Sequence, residues 1–75
     1  MDRLKKVVAE TFETAPDSIN METSPVDIEM WDSLGQLELI LAIEEEFRVT
    51  IEISEMFEIM TVGDIYKILQ RKGVI

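Results

Sequence analysis

Cysteine and histidine are both absent from the 75 residues. Without cysteine there is neither a disulfide framework nor a thiolate nucleophile, and without histidine the commonest general base and the commonest transition-metal ligand are missing. Most hydrolytic chemistry is thereby excluded, and neither a catalytic residue nor a metal centre is expected. Positive charge is scarce too: seven Lys and Arg stand against 16 Asp and Glu, for a net charge of −9. Such a surface repels nucleic-acid phosphates and anionic lipid, so the expected partners are basic proteins, with no nucleic acid and no membrane. No apolar run approaches the roughly 18 residues of a membrane span. Met1–Lys6 leads into an amphipathic pattern rather than a signal peptide's apolar stretch, from which a cytoplasmic protein is expected.

What is present suffices for one small fold. An apolar fraction of 47% is normal for a packed core and too high for a disordered acidic tail. A chain this short buries only roughly 60 to 65% of its unfolded surface, so its margin of stability is thin. We expect a monomer forming a single domain over residues 1–75.

The apolar spacing is helical. Leu4, Val7, Val8 and Phe12 mark one face of a first helix, which Pro16 and Asp17 should end. Residues 15–32 mix Pro, Ser, Thr, Asn and Asp with scattered apolar side chains and read as one long loop. Ser33 to Arg48 is rich in Leu, Ile, Ala and Glu, and Leu34, Leu37, Ile40, Leu41, Ile43 and Phe47 are expected to form its apolar stripe. Glu38 and Glu45 lie two turns apart on one edge of that stripe. Ser54–Ile59 would be a short helical turn carrying Met56, Phe57 and Ile59, since a lone four-residue strand at Thr50–Ile53 has nothing to pair with. Thr61 and Asp64 resemble a capping box for a last helix, with Met60 and Ile65 as its hydrophobic staple. That helix should stop at Gly73, after Arg71 and Lys72. The expected fold is all-α: a small bundle of three main helices plus one short helix, with a long loop between the first and second helices.

Loop, charge and a nucleophilic atom coincide at one place, Glu29–Glu38. If Asp32 caps the second helix, Ser33 sits at its first position with the hydroxyl turned to solvent, where a phosphate would meet free backbone N–H groups and the positive end of the helix dipole. The plainer alternative is that Ser33 and Gln36 form a Ser-x-x-Gln capping box. As a catalytic nucleophile Ser33 fails, because no histidine exists to activate it.

Asp32-Ser33-Leu34, the runs Leu37-Glu38-Leu39 and Ala42-Ile43-Glu44-Glu45-Glu46-Phe47, Ile51, and Ile59-Met60-Thr61-Val62-Gly63-Asp64-Ile65 stand in an order and at a spacing that resemble the acyl carrier protein family across essentially the whole chain. The resemblance implies that Ser33 carries 4′-phosphopantetheine, a covalent cofactor donated from coenzyme A by a phosphopantetheinyl transferase using Mg²⁺. The arm's thiol would hold acyl groups as thioesters for the loading and processing enzymes of fatty-acid, polyketide or related acyl biosynthesis, and the carrier itself would not be an enzyme. Asp32, Glu38, Glu44 and Glu45, with Leu34 and Leu41 beside them, correspond to positions that dock on basic partner surfaces. Residues 29–58 concentrate the acids, nine against Arg48 alone, though acids on a helix also serve simply as a solvated face. Leu37, Ile40, Ile43, Met56, Ile59 and Ile65 would line the space into which an acyl chain slips, each being core first.

Two residues depart from the fatty-acid type. Trp31 precedes the motif where small residues are usual, a bulky aromatic expected beside the arm and able to alter partner choice. Gly35 replaces the acid that commonly follows, removing a docking charge and weakening the helix start by up to about 1 kcal/mol relative to Ala. The alternatives are a carrier of amino acyl groups, an unmodified acidic helical adaptor, and a calcium-binding helix-loop-helix protein. For the last, Asp27–Glu38 spans twelve residues with acids at the first, third and last, but Trp31 and Asp32 occupy the fifth and sixth, where an oxygen ligand and a glycine belong.

Overall fold

Leu4, Val7, Val8 and Ala9 bury one face of α1 (Asp2–Thr11). The computed structural model describes all 75 residues, and after α1 the chain makes a single 3-10 turn (Pro16–Ser18), then α2 (Ser33–Phe47), α3 (Ile53–Met56) and α4 (Val62–Arg71). Three main helices, one short helix, no strand and a long first loop agree with the expected class. α1 ends sooner than proline would end it. Glu13 takes a left-handed φ of 53° and Thr14 N–H donates to Ala9 O at 2.9 Å, so a Schellman-type turn closes the helix before Pro16. Arg48 does the same for α2, with φ 54° and Val49 N–H donating to Glu44 O at 3.2 Å.

The predicted face of α2 needs correction. Leu39, Ile40, Ile43 and Phe47 enter the core, whereas Leu34, Leu37 and Leu41 are 65%, 51% and 65% exposed. α2 is apolar almost all the way round, so more than one row of i, i+3, i+4 residues fits its sequence, and only the neighbours select one. The core they share contains Leu4 and Val8 of α1 with its C-cap Phe12, Val62, Ile65, Ile68 and Leu69 of α4, and Ile19, Trp31 and Ile51 from the connections. Leu37 therefore does not line the core. Ile40, Ile43 and Ile65 are packed within it, and Met56 and Ile59 are half-buried against it. Phe57, the C-cap of α3, is 82% exposed.

The long loop is held down by its own residues. Ile19, Thr23 and Trp31 are buried in succession. Thr23 O and Met21 O accept from Val62 N–H at 2.9 Å and Gly63 N–H at 2.8 Å, which ties the loop to the first turn of α4. That turn is also closed by the expected capping box: Thr61 Oγ1 accepts from Asp64 N–H while Asp64 Oδ2 accepts from Thr61 N–H and Met60 N–H. The staple does not close, since Met60 stands exposed. Gly73 has the anticipated left-handed backbone, φ 75°.

Candidate functional site

The start of α2 is built from Trp31 to Gln36. Asp32 is the N-cap in extended backbone, its Oδ1 accepting from Gly35 N–H at 2.8 Å and its carbonyl from Gln36 N–H at 2.8 Å. The Ser33–Gln36 capping box does not form, because the Gln36 carboxamide faces the other way and accepts from the Trp31 indole N–H at 2.6 Å. Ser33 is consequently released from capping. It stands exposed at the first helical position, and its hydroxyl makes no hydrogen bond within the protein. Nor do the backbone N–H groups of Ser33 and Leu34 find an acceptor within the protein. Two amide donors and the positive end of a 15-residue helix thus surround one free hydroxyl.

Trp31 is not beside this hydroxyl on the surface, as its position in the sequence suggested. It is buried, with its ring stacked on Phe12 of α1 at a centroid separation of 5.7 Å and 25° between planes. This inward turn draws the Met30 carbonyl across the first turn of α2. A side chain at position 35 would overlap that carbonyl oxygen and come within 3.1 Å of Phe12 Cε1, so Gly35 is a steric requirement as well as a missing charge. Trp31, Gly35 and Gln36 are the residues whose part in the site sequence reasoning missed. The available signal was their joint departure: a large aromatic and a bare glycine four residues apart.

Along α2, Glu38 and Glu45 are exposed with no cation within salt-bridge distance. Exposed Leu34 and Leu41 lie beside them, and Met30, Asp32, Leu34, Gly35 and Glu38 enclose a shallow notch of about 150 Å³ next to Ser33. Glu44 is partly committed inward, its Oε2 accepting from Ile51 N–H at 2.8 Å. Glu46 pairs with Arg3 at 2.9 Å while the Arg3 guanidinium covers Phe47 at 4.6 Å. Two acids of the α3 turn are paired: Glu55 meets Lys72 at 2.9 Å and Glu58 meets Arg71 at 3.1 Å. The Glu52 backbone N–H, and then Lys72, hold the Glu55 carboxyl below its ordinary range. No three carboxylates converge closely enough to share an ion, and Asp27, first in the twelve-residue stretch, accepts instead from Ser24 N–H.

With this geometry in hand, the comparisons are specific. Residues 2–69 match the family model described as the phosphopantetheine attachment site. An acyl carrier protein of Campylobacter fetus subsp. fetus is 38% identical over 64 residues, covering 85% of this chain and 83% of that one. Those of Phenylobacterium zucineum and Caulobacter vibrioides are each 35% identical over 72 residues, 96% of this chain and 91% and 92% of theirs. The chain belongs to the phosphopantetheine-attachment family, the acyl carrier proteins. Its cofactor is 4′-phosphopantetheine, and the family's members are carriers that work with acyl-processing enzymes. The chain's residues fit that group: a phosphodiester needs an accessible hydroxyl and anion-binding donors, and the α2 terminus presents both. No helix is long and apolar enough to cross a membrane.

Proposed function

We propose that Ser33 is the attachment point and that the chain carries acyl thioesters on this arm to enzymes with basic docking surfaces. The single observation that supports it most is the conjunction at α2 of an exposed, unbonded Ser33 hydroxyl with the unpartnered Ser33 and Leu34 N–H groups. In this reading Asp32 holds the helix start by capping Gly35, which leaves the hydroxyl to an incoming enzyme. The two N–H groups and the helix dipole receive the negative charge of the phosphodiester. The bound arm supplies a thiol, which a chain without cysteine lacks. Asp32, Glu38 and Glu45, exposed and without cationic partners, give the surface its attraction for Lys and Arg patches, and Glu44 adds to it from a partly tethered position. Such complementarity raises association rates while permitting release. Leu34 and Leu41 provide an apolar contact between these charges.

Sequestration of the cargo rests on Ile40, Ile43, Met56, Ile59 and Ile65. Neither of the two surface concavities is bounded by these residues. A chain would therefore enter only by parting the helices, gaining about 0.8 kcal/mol per buried CH₂ against the lost packing.

Intact mass after incubation with coenzyme A, Mg²⁺ and a broad-specificity phosphopantetheinyl transferase tests the assignment. The wild-type chain should gain one arm and Ser33→Ala none, with unchanged helical circular dichroism. An arm on Ser33→Ala, or a bare wild-type chain, would refute it.

A further inference from the structure

The Trp31–Gln36 hydrogen bond spans the residue that the preceding reading makes the attachment point. Its donor lies two residues before Ser33 and its acceptor three after, so the 2.6 Å contact closes a ring around Asp32, Ser33, Leu34 and Gly35. Each side of that ring is anchored separately. Trp31 is stacked on Phe12 and donates its backbone N–H to Ile28 O at 3.0 Å, which fixes the loop side to α1. Gln36 N–H donates to Asp32 O and Gly35 N–H to Asp32 Oδ1, which fixes the helix side. The Met30 carbonyl packs into the space that Gly35 leaves open, which brings the loop backbone against the first turn of α2. The Ser33 backbone is held from both directions while its side chain stays free.

We propose that Trp31 and Gln36 are positioning residues for modification at Ser33: their hydrogen bond holds the loop-to-helix junction so that the hydroxyl meets the transferase already oriented, its oxygen bonding to the pantetheine phosphorus of coenzyme A as the pyrophosphate P–O bond breaks, adenosine 3′,5′-bisphosphate leaves and the hydroxyl proton passes to the transferase. The proposal rests on Ser33 being the attachment point. Orientation matters in group transfer because a misplacement of about 1 Å can cost on the order of 100-fold in rate. The Ser33 side chain has no hydrogen bond of its own to orient it, which leaves the junction as the device that does so.

The test is steady-state arm transfer from coenzyme A onto wild type, Trp31→Phe, Gln36→Leu and Gln36→Glu, at a temperature where circular dichroism shows each fully folded. Trp31→Phe keeps a ring to stack on Phe12 and loses the N–H donor. Gln36→Leu loses the acceptor without touching the core, and Gln36→Glu restores an acceptor. Turnover should fall about tenfold in Trp31→Phe and Gln36→Leu with KM changed less than about twofold, and Gln36→Glu should stay within about twofold of wild type. In Gln36→Leu the emission of Trp31, the sole tryptophan, should also shift as the indole N–H loses its partner. The proposal is overturned if folded Gln36→Leu turns over like wild type, if rates fall only in step with the folded fraction, or if Gln36→Glu is as slow as Gln36→Leu. A wild-type chain that gains no mass removes the Ser33 assignment and this inference together. A wild-type chain that gains it while the variants keep pace removes the inference alone.

Discussion

The N-termini of α2 and α4 begin alike and end up in opposite states. Both are capped by a short polar side chain, Asp32 accepting from Gly35 N–H and Thr61 from Asp64 N–H. At α4 the remaining first-turn donors are taken, Val62 N–H by Thr23 O and Gly63 N–H by Met21 O. At α2 the equivalent donors, Ser33 N–H and Leu34 N–H, have no partner in the protein. One terminus is closed by the long loop and the other is left open by the same loop, whose distal end turns inward at Trp31. The acids divide between the α3 turn and α2. Glu55 and Glu58 are paired with Lys72 and Arg71, whereas Glu38 and Glu45 are unpaired. A terminus whose donors are taken serves the fold; an open one beside the unpaired Glu38 offers charge and donors to something outside it.

The glycines at the third and second positions of these helices give the largest expected effect. Helix propensity alone would make Gly35→Ala stabilising by about 1 kcal/mol, but the new Cβ overlaps the Met30 carbonyl, and overpacking of this kind costs about 1–3 kcal/mol. The clash should win, with a net loss of up to about 2 kcal/mol by urea denaturation. At Gly63 the Cβ would lie 2.9 Å from Met21 O, a milder conflict, so Gly63→Ala should cost less than Gly35→Ala. The reverse order would mean that the α2 junction is the softer of the two.

Next in size are the caps. Asp32→Ala and Thr61→Ala should each lose about 1 kcal/mol, and only Asp32→Ala should slow arm transfer to a folded chain. Equal slowing by both would dissolve the distinction between open and closed ends.

Acid should act on the α4 capping box and on the α3 turn. The Met60 N–H foremost, with Thr61 N–H and its hydroxyl, holds the Asp64 carboxyl below its ordinary range, and Glu55 is lowered as described. A carboxyl favoured in its ionised form by the fold stabilises above its unfolded pKa of about 4 and loses that contribution as pH falls through the lower folded value. Stability should accordingly drop on acidification below about pH 4, and Asp64→Asn should be less stable near neutrality and flatter over that window. Matching acid profiles for the variant and wild type would count against the lowered value.

The smallest effects on the fold belong to the open face. Glu38→Gln and Glu45→Gln should move stability by less than about 0.5 kcal/mol, while slowing association with a basic partner enzyme in a salt-sensitive way. Because most of the net charge lies in residues 29–58, millimolar Mg²⁺ should raise the melting temperature of wild type more than that of the double variant. Identical shifts would show that the unpaired acids do not repel one another appreciably.

Much of this was visible in the sequence. The α4 cap and its glycine stop, the Asp32 cap and the position of Ser33 depend on residues within a turn or two of each other, and spacing alone exposes them. The face of α2 was not legible. Leu34, Leu37 and Leu41 repeat as well as Leu39, Ile40 and Ile43 do, and a helix apolar on several sides carries no internal record of which side faces α1 and α4. Trp31 misled for a related reason: next to a surface serine in sequence, it turns inward, where Phe12 at the end of α1 offers a ring to stack on.

By itself the sequence determined the helices, their caps, the surplus of negative charge and the hydroxyl at position 33, because these are set by local backbone preference and by composition. Only the tertiary structure decided which leucines are buried, that Gly35 must stay bare beneath the Met30 carbonyl, and that the loop closes α4 while leaving α2 open. Each of these depends on contacts between segments far apart in the chain, such as Met21 with Gly63 and Phe12 with Trp31. Packing chooses among the faces and donors that local rules leave equivalent.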